Sequence, residues 1–150
     1  MRAVVQRVES ASVEVNNQIV ASIDSGYLVL LGIEHEDDFH DIEWLTHKIN
    51  TLRIFPDVNG KMNLSIFEAK GELLIVSQFT LYASTRKGNR PSFIKSASPE
   101  IAENLYEKFC LKMINSGHKK IGKGIFGAYM KVSLINDGPV TILLDSKNKE

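Results

Sequence analysis

The chain has 150 residues, 18 Lys and Arg against 18 Asp and Glu, and one cysteine. That length suits a single domain over residues 1–150 whose core needs neither metal nor disulfide, and the lone thiol fits a reducing compartment. A net charge of zero argues against nucleic-acid binding through broad phosphate contact, and the lack of a long apolar run or a signal-peptide pattern gives the expectation of a cytoplasmic protein with no membrane partner.

Residues 2–8 mix apolar and polar positions over a strand length, with Arg2, Gln6 and Arg7 breaking up the run. Val13 and Val15 alternate with Ser12, Glu14 and Asn16. Asn16-Asn17 then turns into Ile19, Ala21 and Ile23, because Asn tolerates the left-handed backbone of a tight hairpin. Tyr27 to Ile33 is almost wholly apolar and predicts a central strand covered on both faces. An acidic stretch, Glu34 to Asp38, precedes a helix over Phe39–Asn50 with Phe39, Ile42, Leu45 and Ile49 at helical spacing. His35, His40 and His47 lie among carboxylates, but no pair has the spacing of a recognised metal motif, so no metal site is expected.

Leu52 to Phe55 reads as a short strand ahead of a turn centred on Asn59-Gly60, and Lys70-Gly71 turns into the next strand. Ser98-Pro99-Glu100 starts a second helix, with Ile101, Leu105, Phe109 and Met113 as its apolar stripe, Cys110 inside it and Gly117 to end it. Gly122, Gly124 and Gly127 have the GxGxxG spacing. They lead into a strand pattern through Met130, Val132 and Leu134, with no room for a dinucleotide fold. Val140 to Leu144, entered through Gly138-Pro139, closes the chain. The elements make an α+β protein, about eight or nine mostly antiparallel strands and two main helices, whose sheet can curl into a barrel.

The chemistry concentrates in two places. Leu73 to Val76 is the continuous apolar run of a buried strand, and it delivers Ser77, Gln78, Phe79 and Thr80 to its far end. Arg86, Lys87 and Arg90 lie beyond, around Gly88 and ahead of Pro91, in a loop fit to meet an anion; Lys119, Lys120 and Lys123 form a second basic cluster. Ser77 or Thr80 needs an adjacent base to act as a nucleophile, yet the four histidines, at 35, 40, 47 and 118, lie outside these stretches and no Gly-x-Ser-x-Gly elbow occurs. A conventional covalent hydrolase is therefore poorly supported, with Thr80 its best candidate.

The runs SQFTLYA and TRKGNRPSF, together with Asn136-Asp137-Gly138-Pro139-Val140-Thr141, resemble the D-aminoacyl-tRNA deacylases. MRAVVQRV, Leu52-Arg53-Ile54-Phe55 leading to Gly60-Lys61-Met62-Asn63, and Phe126-Gly127-Ala128 with Met130 extend the resemblance over nearly the whole chain. It implies a barrel-like sheet in a homodimer with active sites at the interface, acting without cofactor on the acceptor 3′ end of aminoacyl-tRNA. Ser77, Gln78, Phe79 and Thr80 would form the catalytic stretch, with backbone N–H groups near Gln78 and Phe79 polarising the ester. Phe126, Gly127, Ala128 and Met130 would hold the terminal adenosine, and Arg86, Lys87 and Arg90 the tRNA backbone. Gly138 and Pro139, joined by a cis bond and supported by Arg7, would enter the partner's pocket and exclude L-aminoacyl groups, leaving D-aminoacyl-tRNA and glycyl-tRNA mischarged on tRNA(Ala) as substrates. An aminoacyl ester beside a ribose hydroxyl is already activated, which suits a site that positions rather than attacks. The competing readings are a small-molecule esterase using Thr80 and a binding module for RNA 3′ ends. The second wants an exposed aromatic platform that the sequence does not display.

Overall fold

The longest uninterrupted pairing in the molecule belongs to β1, Arg2–Val15. The structure is a computed structural model and describes residues 1–149. Asn16 and Asn17, with φ of 51° and 62°, reverse the chain into β2, Gln18–Ile23, antiparallel to the second half of β1. β3, Gly26–Gly32, runs antiparallel to the first half. Then come helix α1, Phe39–Thr51, a small hairpin of β4 (Phe55–Pro56) and β5 (Met62–Leu64), and β6, Glu72–Ser77, parallel to β3. Helix α2 spans Pro99–Asn115. β7, Ile121–Lys123, lies parallel to β6, and β8, Lys131–Asp145, returns along the whole of β1.

The sheet order is β2-β1-β3-β6-β7, with β8 on β1. It is mostly antiparallel, and the parallel pairs are confined to β3-β6-β7. The two ends of this path approach each other: a Cβ at Gly122 on β7 would lie 3.1 Å from the Ala21 side chain on β2. The sheet is thus nearly closed into a barrel, as expected from the strand count and turns.

Each face of the curled sheet has its own core. Ala3, Val5, Tyr27, Val29, Leu31, Leu73 and Ile75 point at the helices and pack on Ile42, Leu45, Ile49, Leu105, Tyr106, Phe109 and Met113. Val8, Ala11, Val13, Ile23, Leu28, Leu74 and Val76 fill the barrel interior. Along β1 the inward parity changes from even at Val8 to odd at Ala11, and the β1–β8 register shifts between Val8 and Ser10. A bulge there turns the strand over without breaking it.

Several expectations need correction. Phe39 and Ile101, assigned to the helix stripes, are 53% and 44% exposed, because each sits in a first turn before its helix reaches the sheet. Ala102 and Tyr106 take the place of Ile101. Ser98 caps α2 by position, but its side chain makes no capping bond. The strand placed at Leu52–Phe55 is only Phe55–Pro56, since Leu52 already donates its N–H to Lys48 O at 2.9 Å and ends the helix. The two closing strands are a single strand, β8. By contrast α1 has a complete capping box, Asp38 with Asp41.

Among the groups that make stability depend on pH are His118 and Asp41. His118 stacks on Phe67 and contacts Asn50 Oδ1 at 2.8 Å, and burial pushes its pKa down to about 4. Burial works against the charge of Asp41, but Lys147, Ser146 and the Asp38 N–H all donate to it and hold the carboxyl at about 2. Both folded-state values are depressed, so each contribution is complete above the unfolded value and is lost as pH falls toward the folded one. Unfolding midpoints in urea should fall first between pH 6.5 and about 4, from His118, then between pH 3.8 and about 2, from Asp41. His118→Gln should remove the first stage and leave the second.

Candidate active site

The apolar run of β6 is paired on both edges, so it must be buried, and its register with β3 ends at Ser77 opposite Leu31. Gln78 makes the last ladder bond, its N–H donating to Leu31 O at 2.7 Å. The chain then winds into a 3₁₀ turn, Phe79–Tyr82. A helical turn leaves its first donors without partners. Among the described residues the N–H groups of Phe79 and Thr80 have no acceptor. The pair of free donors is therefore one residue further on than expected, because the Gln78 N–H is used by the sheet.

The turn borders a cleft of about 800 Å³ at the carboxyl ends of β3 and β6. Ser77, Gln78 and Phe79 line one side, and Phe126, Gly127, Ala128 and Met130 the other, so two stretches about 50 positions apart in sequence meet across it. Ser96, Ala97, Ser98, Pro99 and Ala102, leading into the start of α2, add to the wall. Thr80 lies just outside, its hydroxyl accepting from Gln78 Nε2. Phe126 leans on the buried Tyr106, ring centroids 5.8 Å apart. Met130 is set by Gly124, where a Cβ would be 2.6 Å from its sulfur. Two of the glycines that mimic a dinucleotide motif thus have packing roles, Gly122 making room for Ala21 and Leu74 and Gly124 for Met130, while Gly127 serves the backbone with φ of 73°.

Three features of the cleft were hidden in the sequence. His35 reaches the wall, but its Nε2 is held 3.0 Å from Ile94 O and no bond joins it to Ser77 or Thr80. Phe79 and Phe93 meet edge to face at 5.0 Å, and Tyr129 stands 86% exposed on the rim, so aromatic surface is present after all. Tyr82, the aromatic visible between the motifs, is buried. Cys110 is buried in α2 beside Tyr106, and burial pushes its thiol up to about 12, far from a nucleophile's range.

The basic loop hangs beside this rim, closed by reciprocal bonds between Ser84 and Ser92 at 2.8 and 2.9 Å, with Gly88 at φ of 72°. Arg86, Lys87 and Arg90 are exposed and make no ion pair among the described residues. The other cluster is spent internally: Lys119 and Lys120 pair with Glu72 at 3.7 and 3.3 Å, and Lys123 with Glu107 at 2.6 Å.

Gly138 and Pro139 lie elsewhere. Between Gln6, paired with Thr141, and Val8, paired with Asn136, two steps along β1 match five along β8, so three residues are extruded from the strand. The Gly138–Pro139 bond in this bulge is cis, and both residues are exposed and absent from the wall of the chain's own cleft. Arg7 anchors the bulge. Its Nε is 2.9 Å from Asp137 Oδ2 and donates to Asp137 O at 3.0 Å, while a second arm donates to Ile54 O. It belongs to an interior strand and its side chain is 11% exposed, which rules out an edge-strand surface charge. Asn136 closes the base, donating to Arg7 O at 3.0 Å and Val140 O at 3.2 Å.

Residues 4–145 match the family described as D-Tyr-tRNA(Tyr) deacylase. A D-aminoacyl-tRNA deacylase of Cytophaga hutchinsonii is 61% identical to this chain and one of Bacteroides thetaiotaomicron 59%, both over 150 residues and 100% of each chain. Among solved structures, a c-Myc DNA unwinding element binding protein is 44% identical with a TM-score of 0.92, over 97% of this chain and 98% of its own. A probable eukaryotic D-amino acid tRNA deacylase, at 20% identity and a TM-score of 0.77 over 95% of this chain and 97% of its own, shares the fold. The class is thus an ester hydrolase. The chain belongs to the D-Tyr-tRNA(Tyr) deacylase family.

The Arg7 anchor is open to direct test. Arg7→Ala should speed amide exchange at Asp137, Gly138 and Val140 about tenfold or more while β3 and β6 keep their protection, since the bulge loses its charged ties. Arg7→Lys, which keeps the charge but not the fork, should fall between. Unchanged exchange would mean that Asn136 alone holds the bulge.

Proposed function

We propose that the chain hydrolyses the ester of D-aminoacyl-tRNA, releasing D-amino acid and tRNA, in a cytoplasmic homodimer that needs no cofactor. The observation that carries this reading is the pair of free N–H donors on Phe79 and Thr80, at the edge of an apolar cleft that Phe79 lines and in which no hydroxyl has a basic partner. Such a site stabilises an oxyanion but generates no nucleophile. It needs a substrate whose own neighbouring group delivers water, and the 3′-terminal ribose of an aminoacyl-tRNA supplies a vicinal hydroxyl.

In this mechanism the terminal adenosine lies between Phe126 and Met130, with the backbone of Gly127 and Ala128 against it. The ester carbonyl points at Phe79 and Thr80. As water adds, negative charge collects on that oxygen and the two N–H bonds strengthen, which lowers the barrier without proton transfer by the protein. Ser77 and the Gln78 amide border the reacting carbon and fix the pose. Arg86, Lys87 and Arg90 meet the phosphates behind the acceptor end, a grip local enough for a chain with no net charge.

Selection by handedness is assigned to Gly138 and Pro139 of a second copy. In one chain they are extruded and exposed, with Leu134, Ile135 and Leu143 exposed on the same strand, a surface suited to a symmetric partner. Entering the partner's cleft, rigid backbone beside the α-carbon would collide with an L side chain and spare a D one.

Such a filter detects an obstruction, so glycine, which has no side chain, should pass. Deacylation of D-alanyl-, glycyl- and L-alanyl-tRNA on one tRNA should give fast, fast and negligible rates; rejection of glycine as firm as that of L-alanine would sink the steric account. Thr80→Ala should keep substantial activity, because no base is placed to activate the hydroxyl. A fall in kcat beyond about a thousandfold, with the fold intact, would favour attack by Thr80 instead.

A further inference from the structure

If peptide N–H groups do the chemistry, the groups that aim those peptides matter as much as the donors. In a planar trans peptide the N–H of one residue and the C=O of the residue before it point in opposite directions. The Thr80 N–H therefore shares a plane with the Phe79 C=O, and the Phe79 N–H with the Gln78 C=O. Both carbonyls are held by hydrogen bonds. Ser96 Oγ donates to Phe79 O at 3.0 Å, and the Leu81 N–H donates to Gln78 O at 3.2 Å.

Leu81 is in turn fixed by Arg2. Its carbonyl accepts from Arg2 Nη1 at 3.1 Å, and the guanidinium lies 4.6 Å from the centroid of the Tyr82 ring, which is 2% exposed. Arg2 Nε donates to Asp145 Oδ2 at 2.7 Å, and Asp145 Oδ1 accepts from the N–H groups of Lys147 and Asn148 at 2.9 and 3.2 Å, so the carboxylate itself cannot swing. Gly32 is the register partner of Arg2 on β3. A Cβ there would come within 2.9 Å of the Leu81 Cβ and 3.1 Å of Gln78 O, so the turn lies directly on the strand.

We propose that Arg2 and Ser96 are positioning residues of this site, bracing the Phe79–Tyr82 turn, Arg2 from outside the cleft and Ser96 from its wall, so that its two free N–H groups converge on the ester oxygen. This rests on the deacylase reading. Arg2 lies outside the cleft wall; Ser96 is on that wall, but its hydroxyl is committed to the Phe79 carbonyl. Ser96 also polarises its peptide, because a hydrogen bond accepted at the carbonyl makes the N–H of the same unit a stronger donor. Arg2 holds the far end of the turn, and a displacement of about 1 Å at such donors is worth about a hundredfold in rate.

Four variants and two readouts test it: Ser96→Ala, Ser96→Thr, Arg2→Ala and Arg2→Lys, each assayed by deacylation of D-aminoacyl-tRNA and by amide NMR of the free protein. Each Ala variant should lower kcat about tenfold to a hundredfold with KM within about twofold, since only transition-state charge feels the aim of the donors. Ser96→Thr, which keeps the hydroxyl, should restore most of the rate, and Arg2→Lys part of it. In the free protein the amide resonances of Phe79 and Thr80 should shift in both Ala variants while those of Leu73 to Val76 stay in place. Unmoved Phe79 and Thr80 resonances would overturn the proposal whether or not the protein turns over this substrate, as would a rate loss expressed in KM or left unrescued by Thr. Wild-type protein that leaves D-aminoacyl-tRNA intact would remove the deacylase reading, and the resonances would still decide the brace.

Discussion

The architecture depends on satisfying both edges of one fourteen-residue strand. β1 meets β3 and then β2 along one edge and β8 along the whole of the other. To serve a helix-covered face with its first half and a barrel interior with its second, it turns over at a bulge. β8 takes the same course, and it is on β8 that the three surplus residues around Gly138 leave the sheet. The extruded backbone is thus a product of pairing two strands of unequal course, with Arg7 and Asn136 supplying the bonds that the ladder no longer provides.

The cleft arises from a second constraint on backbone donors. β6 is flanked on both sides and ends abruptly at Ser77. The ladder takes one more N–H, at Gln78, and the tight turn leaves the next two unclaimed. Unpaired donors are costly when buried; here both residues are exposed, at the edge of a hollow about 800 Å³ in volume. The residues that line it come from the ends of β3 and β6, the approach to α2 and the glycine-rich approach to β8, parts of the chain with no local reason to meet.

How much of this was legible in the sequence differs with the physics involved. Apolar runs such as Tyr27 to Ile33 and Leu73 to Val76, the Asn16-Asn17 hairpin and the helix starts depend on neighbours along the chain, and they were readable. The motif residues Ser77, Gln78, Phe126 and Met130 were readable through resemblance, and the structure brings them to one cleft. Phe39 and Ile101 misled because periodicity reports a helix face but not where that face begins to touch the sheet. His35 and Tyr129 were invisible as cleft residues, since the contact between the turn after β3 and the segment before β8 is purely tertiary. The Gln78 N–H illustrates the same limit at the level of one bond: only the register with Leu31 reveals that it is already used.

A site built from peptide groups has an unusual genetic footprint. On the proposed mechanism its working atoms are carried by every amino acid but one, so the side chain at Thr80 can vary in size and polarity while the donors stay in place. The one single-codon lesion that deletes a donor outright is a change to proline, which lacks the N–H. On that mechanism, damage to the donors themselves would otherwise arise from replacements that tilt the chain from a distance.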